Sequence, residues 1–386
     1  MSSDAKLMTE SVRATLFLMA NTLETGGGER QFMTLAGALR QGPLEIRLGC
    51  LRNRGAFSDG LEGIVEFPPG GSLFKLRAQT ARIKLGRYLH SNRVTIAHSY
   101  DFYSNLMMIP SARLAGVPIV VGSQRQLGDL ISPLRNRVQN ALFRWCDRVV
   151  CNSQAAASRL QKVGVQPGKL KVIPNALPDN AFTETSPLLP PNPEGLRIVM
   201  IARMNDPAKR HDIFLQAAAR LARKHPKLEF VLVGDGDLRA RLEKLANTLD
   251  LGNRVIFLGE RHDIAAVLAS AAISVLPSIS ESLSNAIMES MAAGVPVVAC
   301  RVGGNEELIR DGESGFLVSR DNVDELAERV GLLVTQPELQ KVFAAAARKD
   351  AQRFTLEKVS GEYEQFYLSL LEEKGIRHAD LALTSD

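Results

Sequence analysis

Two glutamates eight positions apart, Glu281 and Glu289, stand in the stretch SISESLSNAIMESMAAGVPVVAC, residues 278–300. Glu281 lies in a polar patch, whereas Glu289 lies in a run of Ala, Met and Ile patterned for packing. AISVLPS reads as a strand before them, Ser282 or Ser284 as a helix N-cap, and Gly294 as the helix stop. Glu281 then occupies the loop at the strand end and Glu289 the helix, and eight helical residues rise about 12 Å. The two carboxylates would therefore meet different parts of a long ligand. A carboxylate accepts two hydroxyl donors at once, which suits a sugar diol. The helix start between them offers free N–H groups and a positive dipole end to phosphate. Carboxylate, amide-rich helix start, carboxylate is the order that hexose, diphosphate and ribose take along a nucleotide sugar. The plainer alternatives are a loop charge at Glu281 and, at Glu289, a helix residue paired with a neighbouring arginine.

Cations stand upstream. In RMNDPAKRHD, Arg203 directly follows the strand-like LRIVMIA, and Lys209 follows a short turn containing Pro207. Arginine clamps two oxygens and lysine acts as a mobile point charge, a pairing suited to a diphosphate. Solvated surface charges are the alternative. Gly26, Gly27 and Gly28 separate the first strand from the first helix, where a missing Cβ lets backbone approach phosphate. They do not make a GxGxxG fingerprint. Asp235-Gly236-Asp237 has the form of a metal-binding DxD, but its place after a strand marks it as a turn into a helix. No metal site is expected.

These residues need a scaffold that presents strand ends. In the first half the strand candidates are residues 14–20, 44–51, 94–98, 117–122, 147–152 and 171–175, near-continuously apolar, with helical periodicity between them. In ERQFMTLAGALRQ, for example, Phe32, Leu35, Ala36 and Leu39 recur at helical spacing. Residues 185–195, TSPLLPPNPEG, place four prolines in seven positions and read as a linker. The alternation then restarts through LRIVMIA, LEFVLVG, RVIFLG, AISVLP, VPVVAC and GFLV. This predicts an α/β chain of two doubly wound parallel-sheet domains facing across a cleft, with ligands at the carboxyl ends of the strands.

Composition narrows the class. The 386 residues are 45% hydrophobic and 23% charged, as in globular proteins. Cys50, Cys146, Cys151 and Cys300 form no CxxC pair, which argues against zinc or a disulfide framework and for a reducing, cytoplasmic setting. ATLFLMA is too short for a bilayer span and follows acidic residues, so it reads as a buried strand and not as a signal peptide. Residues 1–190 hold 23 Lys and Arg against 13 Asp and Glu; the remainder holds 24 against 29. A basic first half implies an anionic partner. Nucleic acid is not expected, since aromatics are only 5% and no zinc-finger, RRM-like or basic-zipper signature is present. Residues 73–93 read as a basic amphipathic helix, with Phe74, Ala78, Ala81, Leu85 and Tyr88 on one stripe and Lys75, Arg77, Arg82, Lys84 and Arg87 elsewhere. Two roles fit it: a core-facing stripe with solvated cations, or docking on an anionic membrane surface.

Taken together, ESLSNAIMES, ARMNDPAKRHD, LVGDGDLRARLEKLANTLDLGNRVIFLG, GVPVVACRVGGNEELIRDGESGFLV, GGGERQ and VVCNSQAAASRL with KVIPNALP resemble the retaining GT-B glycosyltransferases of glycosyltransferase family 4. The similarity spans nearly the whole chain and is strongest over residues 196–318. It implies a Rossmann-like acceptor-side domain over residues 1–190 and a nucleotide-sugar domain over 191–355. A last helix near 356–372 would return to the first domain, with a tail to 386. It further implies that Arg203 and Lys209 neutralise the donor diphosphate, that Glu281 contacts the transferred sugar, and that Glu289 holds the ribose. Gly27 and Gly28 would close on the diphosphate beside Ser282, Leu283 and Ser284, and Gly259, Glu260 and Arg261 would meet the base. No cofactor or metal is implied. The partners would be a UDP- or GDP-sugar and a glycan or lipid-linked acceptor, at the inner face of the plasma membrane. Two departures stand out: Ser282 and Ser284 replace glycines of many relatives, and GSQRQLG carries Gln124 and Arg125 where many have a histidine. Gln124, Arg125 and His98 are therefore the candidate sugar or acceptor contacts. The alternatives are a nucleotide-sugar epimerase of the same architecture and a catalytically idle sugar-nucleotide-binding protein.

Overall fold

The computed structural model describes residues 13–24, 26–53, 62–70, 76–192 and 195–376. The first part runs β1 (Thr15–Thr22), α1 (Gly27–Leu39), β2 (Glu45–Arg52), β3 (Ile64–Glu66), α2 (Leu76–Ser91), β4 (Ile96–Ser99), α3 (Phe102–Leu114), β5 (Ile119–Gln124), α4 (Pro133–Phe143), β6 (Arg148–Cys151), α5 (Gln154–Lys162) and β7 (Leu170–Val172). The second runs β8 (Arg197–Ile201), α6 (His211–Lys224), β9 (Glu229–Val233), α7 (Arg239–Thr248), β10 (Val255–Gly259), α8 (Ile264–Ala269), β11 (Ile273–Leu276), α9 (Asn285–Ala292), β12 (Val297–Cys300), α10 (Asn305–Leu308) and β13 (Gly315–Val318). Helices α11 (Val323–Thr335), α12 (Pro337–Ala351) and α13 (Leu356–Glu373) close the described chain.

Each part is a wholly parallel sheet, ordered β3-β2-β1-β4-β5-β6-β7 and β10-β9-β8-β11-β12-β13. The two doubly wound domains expected from the alternation are present. Strand β1 is buried along its length except at Asn21, as a central parallel strand covered by helices on both faces must be. The order reverses between β1 and β4 and again between β8 and β11. Those reversals open the crevices where such sheets take ligands. Gly27 and Gly28 follow β1, Arg203 follows β8, and Glu281 follows β11.

Two segments connect the parts. Residues 173–196 lead forward, and the proline-rich piece is docked: Leu188 N donates to Ala266 O at 2.9 Å and Leu189 N to Ser270 Oγ at 3.0 Å, so it lies along the second domain. Pro193 and Glu194 are outside the described residues. The return passes Thr355, which bridges Leu177, and enters α13. That helix buries Val359, Tyr363, Phe366, Tyr367, Leu370 and Leu371 in the core built on β1 and α1.

The edge strand β3 was not anticipated from the sequence; its three residues are too few for a periodic signal. Of the amphipathic segment 73–93, residues 73–75, with Phe74 and Lys75, are outside the described residues. The rest forms α2, whose stripe faces inward: Ala78, Ala81 and Leu85 are buried, and Tyr88 packs on Phe17 and Phe67. All four cysteines are buried and unpaired.

Candidate active site

The loop after β11 is held from three sides. Ser284 caps α9 by accepting from Ile287 N, and Gly294, in the left-handed region at φ +71°, ends that helix. Gly304 N donates to Glu281 O at 3.1 Å, and a Cβ on Gly303 would stand 2.0 Å from that same oxygen, so only glycine permits this approach. Ile279 N donates to Ala208 O at 2.9 Å, which ties the loop to the turn carrying Lys209. Asp206 caps that turn by accepting from Ala208 N.

The result is one cleft of about 580 Å³ whose walls include Arg203, Lys209, Glu281 and Glu289 together with Gly27 and Gly28 from the opposite domain. Ser282, Leu283, Ser284, Glu260 and Arg261 also line it. Gly259 does not; it takes φ +69° at the turn behind, and its carbonyl accepts from Gly234 N. A Cβ on Gly27 would meet the Asn285 amide at 2.8 Å, whereas one on Gly28 would enter open space. A side chain at Gly27 would therefore have to displace that amide of the opposite domain.

Three of the four charges are paired. Lys209 Nζ lies 2.6 Å from Glu281 Oε1, with the carboxylate 9% exposed. Glu289 pairs with Arg30 of α1, across the cleft. Burial raises the Glu289 carboxyl above its ordinary value, and Arg30 opposes that rise. The arginine that pairs with Glu289 therefore comes from the other domain, which the helix sequence alone did not reveal. Arg203 is exposed and forms no ion pair among the described residues.

His98 is not a cleft residue. It is fully buried, with Nδ1 2.7 Å from Tyr367 Oη and Nε2 2.8 Å from Ser123 Oγ. Burial, with Arg125 nearby, pushes its imidazole down to about 3, so it is neutral and structural. Its strand-end position is real, but its side chain faces the seam with α13. Gln124 and Arg125 line a second cavity of about 210 Å³ that opens beside the first, and Arg125 lines both. The Asp235-Gly236-Asp237 turn is engaged locally: Asp235 accepts from Gly236 N and pairs with Arg239 at 2.9 Å.

Asn152, Asn175, Asn285 and Glu307 escaped the sequence reading. Asn285 accepts from Asn175 at 2.7 Å and donates to Gly27 O at 3.1 Å, and Ser282 donates to Asn152 at 2.5 Å. Glu307 accepts from Gln154 N and Ala155 N, both at 2.8 Å, at the start of α5. These bonds hold the two domains against each other. Each falls within or beside a motif, yet nothing in its neighbours along the chain names the distant residue it meets.

Two Rossmann-like domains facing across a cleft, with cations, carboxylates and a helix start at the strand ends, define the GT-B class of glycosyltransferase. The chain belongs to glycosyltransferase family 4 within it: the model for "Glycosyl transferases group 1" matches residues 183–350, and that for "Glycosyltransferase Family 4" matches residues 25–180. Among its relatives is UDP-Gal:alpha-D-GlcNAc-diphosphoundecaprenol alpha-1,3-galactosyltransferase of Escherichia coli, 25% identical over 76% of this chain and 80% of that one. The lipopolysaccharide core biosynthesis glycosyltransferase LpsE of Rhizobium meliloti is 30% identical over 59% and 66%. The matched share of the relatives' own length varies widely, from 22% for an exopolysaccharide phosphotransferase of Streptomyces coelicolor to 84% for alpha-D-kanosaminyltransferase of Streptomyces kanamyceticus. In fold the chain is similar to HepE of Anabaena, crystallised with UDP and glucose, at a TM-score of 0.81 and 24% identity, over 92% of this chain and 100% of that one.

Proposed function

We propose that the protein transfers a sugar, with retention of anomeric configuration and without a metal, from a UDP- or GDP-sugar to a hydroxyl of a glycan or lipid-linked acceptor in cell-surface polysaccharide or lipopolysaccharide biosynthesis. The observation that carries this reading is the meeting of Arg203, Lys209, Glu281 and Glu289 in one cleft with the start of α9. The bond from the anomeric carbon to the diphosphate breaks, a bond to the acceptor oxygen forms, and the acceptor proton passes to the departing phosphate oxygen. Negative charge grows on the diphosphate, where Arg203 and Lys209 meet it, and preorganised cations of this kind supply much of the rate. Glu281 holds hydroxyls of the transferred sugar and Glu289 those of the ribose. The acceptor class draws support from the names of the Escherichia coli and Rhizobium meliloti relatives. Neither the epimerase nor the idle-binder alternative has support among these relatives.

The donor is tested by thermal unfolding with UDP, GDP, ADP and their sugars. One of them at about 100 times its Kd should add roughly 2.7 kcal/mol of stability. No shift with any of them would refute the donor reading.

Membrane association belongs to the same proposal. No helix among the described residues is long and apolar enough to cross a membrane. On α2, Leu76 and Ile83 are 86% and 56% exposed beside the exposed Arg77, Lys84 and Arg87. Cations near an anionic surface contribute about 1 kcal/mol each. Binding to phosphatidylglycerol-containing vesicles is expected to weaken with salt and with Arg77→Ala/Lys84→Ala/Arg87→Ala. Binding that ignores both would remove α2 from the interface.

A further inference from the structure

The cavity of about 210 Å³ beside the main cleft lies at the carboxyl ends of β1, β4 and β5, bounded by Ala20, Tyr100 and Gln124. It shares Gly28, Arg125 and Arg203 with the main cleft, so a group held in it reaches the donor side directly. Two features of its lining are unused by the mechanism above.

The first is Arg125. Its guanidinium carbon lies 3.6 Å from the centroid of the Tyr100 ring. One terminal nitrogen donates to Asn175 Oδ1 at 2.8 Å and the other to Tyr363 Oη at 2.6 Å. Its Nε is withdrawn from solvent and has no hydrogen-bond partner among the described residues. All of these neighbours are neutral, and no carboxylate pairs with Arg125 among the described residues. Arginine cannot discharge itself, so a cation held this way keeps an unanswered charge in a partly desolvated place. It is also fixed in advance: Tyr363 belongs to α13 and Asn175 to the segment between the domains. A rigid cation with no carboxylate partner among the described residues, lining a cavity, is suited to an anion.

The second is Glu29, in the first turn of α1. Its carboxyl forms no ion pair among the described residues. Burial holds it above its ordinary value, and Asp101 adds to that while Arg203 opposes it. Asp101 itself is occupied as the cap of α3, accepting from Tyr103 N, Ser104 N and Asn21 N. The lining therefore offers a hydroxyl acceptor at Glu29 and an anion receptor at Arg125.

We infer that this cavity takes a sugar unit bearing an oxyanion, a phosphate ester or a carboxylate, and that Arg125 reads its charge. This rests on the glycosyltransferase reading for the sugar and deepens it by naming the charge of the unit bound beside the donor. A neutral unit would leave the Arg125 charge unanswered; an anionic one meets a cation already fixed in place.

The test uses the full chain saturated with UDP or GDP, whichever stabilises it in thermal unfolding, so that the donor phosphate site is filled. Glucose 6-phosphate, glucuronate and methyl glucoside are titrated by calorimetry. At least one anionic probe should bind about tenfold or more tightly than the neutral one. The better of the two tells phosphate from carboxylate. Arg125→Gln should erase that preference. Arg125→Lys, which keeps charge without the guanidinium, should weaken it, and this second variant decides the matter if the glutamine variant does not fold. Equal affinity for neutral and anionic probes overturns the inference, as does anion binding unaltered in both variants. If neither UDP nor GDP binds, the donor reading has failed; the anion titration then runs on the free protein and is judged by the same criteria.

Discussion

Lys209→Ala is expected to lower kcat about 100-fold or more, the scale on which removing one preorganised group at a developing charge acts. The lysine is held by a turn that Asp206 caps and that a backbone bond fastens to the loop before α9. In the unliganded cleft it is bound to Glu281. An arriving diphosphate competes for it, and the competition favours the more highly charged partner as charge accumulates during departure. The substitution also strands Glu281, which is 8% exposed, and this costs about 1–3 kcal/mol of stability. The two effects separate cleanly. Stability is read by thermal unfolding, and kcat at a temperature where the variant is still fully folded. If stranding alone were responsible, kcat there would be near normal; a loss of about 100-fold in the folded variant is expected. A single variant turning over near the normal rate at saturating donor would remove Lys209 from the mechanism.

The legible parts of this molecule were those written in local pattern. Parallel strands buried on both faces are continuous apolar runs, so both sheets could be read, except for the three-residue β3. Glu289 was legible because a carboxylate inside an apolar helical run is costly to bury and needs a reason, and Glu281 because it stands at a strand end, where such sheets take ligands. What stayed hidden depends on residues distant in sequence. Arg30 meets Glu289 across 259 positions, and no spacing rule couples a first-turn arginine of α1 to the second turn of α9. The second cavity draws on Ala20, Tyr100 and Gln124, three strand ends that only the sheet order brings together. His98 shows the converse error. A strand end placed it near the cleft, but side chains alternate across the sheet, and the face it took was decided by Tyr367 of a helix 269 positions away.

Glu289→Ala is expected to weaken binding of the donor nucleotide by about 10- to 100-fold, the range for losing hydrogen bonds to a charged group. The pair with Arg30 poses a sharper question, because a carboxylate that ties two domains together need not touch a ligand at all. Arg30 engages Oε1. A carboxylate has roughly four lone-pair sites, so capacity for a diol remains. Arg30 then neutralises a carboxylate that burial would otherwise drive toward its protonated form. The two functions are distinguished by removing the ligand's group instead of the protein's. The wild type should bind 2′-deoxy-UDP more weakly than UDP, while Glu289→Ala should bind the two alike, giving a coupling energy of about 1 kcal/mol or more in the cycle. Arg30→Ala should weaken UDP more than 2′-deoxy-UDP, because it acts through the carboxylate that holds the hydroxyl. If Glu289→Ala preserved the full penalty for the missing hydroxyl, Glu289 would be a tie between domains, and the ribose would have to be held elsewhere in the cleft.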